Sequence, residues 1–206
     1  MRGFSDEERA QIRAQLIEVG REQFLAHGPE RTRVKDLTDP VGIAKPTFYQ
    51  FFDSKGELYL EILARESETF GERLRAEVAG IDDPQAGLER LFTSYLEFLE
   101  DSPGVQRMLT EHPPRELFRN VPQEEIDRVQ NAWVETYIPA IEALQRESDG
   151  PFAERDPEVI FDLLRPVGLM QRYKERGTTR DEAEFERIQR VHVSTLVRGL
   201  TCADDG

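Results

Sequence analysis

The chain has 206 residues, a third of them charged, and a formal net charge of −14. That length holds one helical body with a good core or two small domains, and its apolar and aromatic content suits a folded chain. No apolar run approaches the about 20 residues of a membrane span, MRGFSDEERA has no secretory apolar core, and a single cysteine, Cys202, excludes an internal disulfide and fits a reducing cytosol.

Helix punctuation is dense along the chain. Ser5 and Glu8 have capping-box spacing, and Ile12, Leu16, Val19 and Phe24 keep a helical period until Gly28-Pro29 stops the run. Thr32 is placed to cap a short second helix over Arg33–Asp39, with Val34 and Leu37 inward. Pro40 lacks the amide that would bond the Asp36 carbonyl, which predicts an early end to that helix. After the tight turn Val41-Gly42-Ile43, a third helix runs from Lys45 to Phe52, with Pro46 tolerated in its first turn. Ser54 and Glu57 form a second capping box, opening a fourth helix that runs to Ala79. Asp83-Pro84 starts a fifth over residues 84–100, and a short apolar piece, Val105–Leu109, precedes the His112-Pro113-Pro114 break. Further helices follow over Gln123–Arg146, from Asp156-Pro157 to Arg176, and over Asp181–Leu200. The chain reads as all-α, with about nine helices.

Charge is unevenly spread. Residues 1–65 hold ten Lys/Arg against eleven Asp/Glu, whereas residues 66–206 hold seventeen against thirty. Residues 31–55 alone carry five basic and three acidic side chains. With a Debye length of about 8 Å at physiological salt, an acidic body leaves a locally positive segment free to meet a polyanion.

Two short helices joined by a glycine-containing turn form a helix-turn-helix, whose second helix enters the major groove. Around the third helix Phe48, Phe51 and Phe52 gather on one side; Pro46 and Gln50 lie opposite, flanked by Lys45, Thr47 and Tyr49. Gln50 has the chemistry for adenine, and Pro46 or the Thr47 methyl for a thymine methyl. Tyr49 and Lys45 suit phosphate oxygens, as do Lys55, at the start of the fourth helix, and Thr32 and Arg33, at the start of the second.

Over residues 8–60 the chain resembles the TetR family of transcriptional regulators. The residues that carry the resemblance are Phe24, Gly28, Thr32, Val34, Asp36-Leu37, the run Val41-Gly42-Ile43-Ala44-Lys45-Pro46-Thr47-Phe48-Tyr49, Phe52, Ser54-Lys55 and Leu58. Thr38, Pro40, Ala44 and Phe51 depart from the family pattern, Ala44 by replacing a capping serine. The resemblance implies a homodimer with a DNA-binding domain over residues 1–53, and the single cysteine leads us to expect it in the cytoplasm. It implies an effector-binding and dimerisation domain over 54–206, with helix 54–79 as connector. It further implies double-stranded DNA with a pseudo-palindromic operator as partner, a small-molecule effector, and the last two helices paired across the dimer.

Within the body, Phe92, Tyr95, Phe98, Met108, Phe118, Trp133, Tyr137, Phe161 and Met170 either line an effector cavity or pack as ordinary core. Tyr95, Trp133 and Tyr137 are the pocket candidates, because a buried hydroxyl or indole amide needs a partner. Pro139 and Pro166 fall inside predicted helices, where kinks would widen the body. The three histidines lack metal spacing, no phosphate-binding glycine loop or nucleophile elbow occurs, and no cofactor, metal or catalytic residue is expected. The expected function is a repressor released from DNA by its effector; the alternative is an effector-independent DNA-binding or corepressor-docking helical protein.

Overall fold

The computed structural model describes residues 4–102, 105, 116–164, 166 and 182–202, without the side chains of Gln130, Trp133 and Glu182. The described residues are helical with turns between: α1 (Asp6–His27), α2 (Val34–Val41), α3 (Lys45–Phe48), α4 (Lys55–Val78), α5 (Pro84–Asp101) and α6 (Gln123–Arg146). A 3₁₀ turn, Pro151–Glu154, leads to α7 (residues 157–164), and α8 (Glu182–Thr201) follows. The expected piece Val105–Leu109 beyond its first residue, His112, the stretch 167–176 and the side chains of Met108 and Met170 lie outside the described residues.

The fold divides into two compact units, one of residues 1–66 with 112–130, the other of 67–111 with 131–206. In the first, α1 begins at the expected capping box: Glu8 N donates to Ser5 Oγ at 3.2 Å and Ser5 N to Glu8 Oε2 at 2.7 Å. Leu16, Phe24, Leu37, Phe48, Phe52, Leu58 and Leu63 form its buried core. Gly20 brings α1 onto α4, since an added Cβ would lie 3.0 Å from both Leu58 and Ile62 side chains. Gly56 goes further, because a Cβ there would run into the Leu117 carbonyl. The 116–121 turn thus sits directly on the start of α4, with Phe118 6.1 Å from Tyr59. Phe118, grouped by sequence with the body aromatics, belongs to this unit instead.

α2 does not end early. It runs through Pro40 to Val41, and Gly42, at φ 75°, closes it as its amide reaches Asp39 O at 3.1 Å while Ile43 N reaches Thr38 O at 3.1 Å. A left-handed glycine and two closing bonds offset the one amide that proline removes. Its N-cap is Arg33 rather than Thr32, with Arg33 N donating to Asp36 Oδ2 at 2.8 Å. α3 is shorter than the period suggests. After Phe48 the chain continues in tight turns, Gln50 N to Thr47 O at 3.0 Å and Phe51 N to Phe48 O at 2.9 Å.

In the second unit the closest approaches again fall at glycine. A Cβ on Gly71 would overlap the Thr136 side chain, and one on Gly87 the Leu144 side chain, so α4 and α5 both press on α6. Glu77 gathers Ser94 Oγ, Arg90 at 3.0 Å and Arg73 at 3.5 Å. Asp156 caps α7 through Glu158 N at 2.9 Å, and Arg155 donates to the Gly199 and Leu200 carbonyls at the end of α8. Pro139 lies inside α6 on an exposed side. No helix among the described residues is long and apolar enough to cross a membrane.

Candidate nucleic-acid interface

α3 has only four residues, too few to hold a helix by its own hydrogen bonds. Its fixity comes from below and from one side. Phe48 and Phe52 are buried, 5.8 Å apart, beneath it. Ala44 N-caps it without a side-chain bond, as expected from the missing serine, and Thr47 N closes on Ala44 O at 2.8 Å. At the other end Arg9 reaches across from α1. Its guanidinium donates to the Gln50 backbone carbonyl at 3.1 Å and lies over the Phe51 ring at 5.0 Å. Arg13, one turn on, lies over Phe52 at 4.9 Å and pairs with Glu61 at 2.8 Å. That bond raises the Arg13 pKa and lowers that of Glu61. Sequence reasoning missed both arginines. Their i, i+4 spacing marks one face of α1, but nothing local to α3 points to them.

The side chains expected to face DNA separate into two groups. Lys45, Pro46, Tyr49 and Gln50 are exposed, Tyr49 at 48%, and Thr47 is half-buried beside them. Arg33 is exposed at the start of α2, where Arg31 also lies in the open. These form a surface of donors and small apolar groups on a phenylalanine base.

Thr32 and Lys55 are engaged inside the unit. Thr32 is 1% exposed and its hydroxyl donates to Gly28 O at 2.8 Å, a bond to the end of α1 rather than the start of α2. Lys55 Nζ donates to Pro29 O at 2.9 Å and Thr32 O at 2.5 Å, tying the α1–α2 loop to the first turn of α4. Burial pushes the Lys55 pKa down, against the pull of Asp36 and Glu30. The second capping box forms in part: Glu57 N donates to Ser54 Oγ at 3.1 Å, but the Glu57 carboxylate reaches back to Asp53 N.

Of the pocket candidates, Tyr95 and Tyr137 are buried in the second unit with ring centroids 5.7 Å apart; the Trp133 side chain lies outside the described residues. Among the described residues no group of three or more His, Cys, Asp or Glu is gathered to hold a metal ion.

A family model described as bacterial regulatory proteins, tetR family, matches residues 16–62, the stretch that builds this surface. Over 191 residues the chain is 27% identical to the HTH-type transcriptional repressor KstR2 of Rhodococcus jostii, covering 91% of this chain and 90% of that protein. It is 28% identical over 104 residues to the HTH-type transcriptional activator FasR of Mycolicibacterium smegmatis, covering 50% of this chain and 48% of FasR, so that match spans about half of FasR. A TetR-family transcriptional regulator from Pectobacterium atrosepticum shares the fold with a TM-score of 0.68 at 22% identity, over 97% of this chain and 99% of that one.

Proposed function

Because the chain belongs to the TetR family of DNA-binding transcriptional regulators, we propose that it acts as a homodimeric repressor that a small-molecule effector releases from a pseudo-palindromic operator. Residues 1–53 are the reading domain and 54–206 the effector and dimerisation domain, with the last two helices, α7 and α8, pairing across the dimer. Gln50, Pro46 and Thr47 contact base edges, and Lys45, Tyr49 and Arg33 contact phosphates. Thr32 and Lys55 act by holding the loop that presents Arg33.

The observation that carries this reading is the two-sided character of α3 and the turn after it. Phe48 and Phe52 are buried while Lys45, Pro46, Tyr49 and Gln50 stand open. The acidic excess over residues 66–206 keeps the rest of the chain from binding DNA indiscriminately. α4 contributes to both compact units and is the connector through which an effector shifts the population toward a DNA-incompetent arrangement.

Selection of bound duplexes from random DNA, followed by mass measurement of the complex, tests the reading. The expected product is two inverted half-sites about one helical turn, ~34 Å, apart, with two chains per site. A single half-site bound by one chain overturns the dimeric operator.

A further inference from the structure

One buried group in the second unit has no use in DNA binding. Tyr137 is 0% exposed, and its hydroxyl meets no hydrogen-bond partner among the described residues. Its ring is surrounded by Phe161 at 5.0 Å, Phe70 at 5.4 Å and Tyr95 at 5.7 Å, and Phe98 stacks on Phe70 at 4.2 Å. These rings come from α4, α5, α6 and α7. An unsatisfied hydroxyl at such a place is destabilising, and phenylalanine would keep every ring contact without it. Packing alone gives this oxygen no purpose.

We propose that this aromatic cage is where the effector is recognised, and that the Tyr137 hydroxyl donates a hydrogen bond to a neutral carbonyl-type acceptor on a flat, largely apolar ligand. The proposal rests on the effector reading above and narrows the chemistry of that ligand. Burial pushes the Tyr137 pKa well above the ordinary phenol value, so the group is a protonated donor in search of an acceptor.

Charge decides between ligand classes. The three rings around Tyr137 carry no formal charge, so a buried carboxylate or ammonium on the ligand would find no ionic partner among them. Arg73 sits over the Phe70 ring at 5.3 Å and is engaged by Glu77 at 3.5 Å. Its charge acts at the Tyr137 hydroxyl and opposes a cationic ligand, and its pairing with Glu77 leaves it only partly available to an anionic one. The acidic excess of residues 66–206 further disfavours a phosphate-rich anion. A neutral acceptor meets none of these penalties, and an aromatic lining favours an unsaturated, planar body that stacks.

The test uses the full-length protein, Tyr137→Phe, and four probes of similar size: benzophenone, diphenylmethane (carbonyl replaced by methylene), biphenyl-4-carboxylate and benzyltrimethylammonium. Calorimetry is expected to show benzophenone binding about tenfold tighter than diphenylmethane to the parent. That preference should vanish in Tyr137→Phe, which keeps the ring and whose fold is checked by melting. The carboxylate and the ammonium should bind more weakly than benzophenone. Equal benzophenone affinity for parent and variant overturns the role of the hydroxyl. If the carboxylate or the ammonium binds best and releases operator DNA from parent and variant alike, the effector reading stands and the neutral-acceptor assignment falls. If none of the four binds, the cage is closed packing, and both this assignment and the placing of the effector at these residues are overturned.

Discussion

The two compact units differ in how one buried polar group is treated. In the first, Thr32, Lys55, Arg9 and Arg13 are each bound to a named carbonyl, carboxylate or ring; the two arginines hold the turn after α3 and the other two hold the α1–α2 loop. In the second, the Tyr137 hydroxyl is buried among rings with no partner among the described residues. A surface that reads base edges must be placed to a fraction of an ångström, so its supports are satisfied and rigid. On the proposed reading, the second unit keeps one bond unmade until its ligand arrives.

Four substitutions probe that contrast. The largest effect is expected from Phe48→Ala, which empties a fully buried position under α3. It should cost about 3–5 kcal/mol and abolish DNA binding, checked by denaturant unfolding and by anisotropy with a selected operator. Retained tight binding would mean that the phenylalanine base is not what presents α3. Next is Lys55→Met, which keeps the aliphatic stem but strands the Pro29 and Thr32 carbonyls. A loss of about 1–3 kcal/mol in stability is expected, with the salt dependence of DNA affinity unchanged. A flattened salt slope with intact stability would instead make Lys55 a phosphate contact.

Arg33→Ala should behave in the reverse manner. Its backbone amide still bonds Asp36, so stability holds. Affinity should fall for all sequences alike and the salt slope by about one, read from binding at several salt concentrations. The smallest effect belongs to Glu66→Gln on α4. Burial raises the Glu66 pKa above 4.5 and Arg21 only partly opposes it. The folded state therefore holds this proton more tightly than the unfolded chain, and stability falls as pH rises from 4.5 through the folded value. At pH 7 the glutamine variant should melt slightly higher than the parent, and near pH 3, where both carry a neutral group, the two should coincide.

How far the sequence reveals this arrangement depends on distance along the chain. Capping signals act over three residues, so the start of α1, the Asp83 and Asp156 caps and the extent of α6 are readable from spacing. The end of α2 is not legible in the sequence because proline's missing amide is a local signal, whereas the closure at Gly42 depends on the whole turn. α3 looked longer than it is because Phe48, Phe51 and Phe52 keep helical phase, but the guanidinium that pins Gln50 comes from 41 residues away. Lys55 shows the same limit: a helix start suggests an anion site, and only the fold reveals two carbonyls already there. Phe118 is a body aromatic by sequence position and a support of α4 in space.

Base reading is proposed for the open face around α3. The most direct measurement is the base preference at every operator position, determined in parallel for the parent and Gln50→Ala. The expected result is a loss of about 1–3 kcal/mol of discrimination at one base pair in each half-site, with the remaining positions unchanged. Identical preference profiles for the two proteins would contradict it.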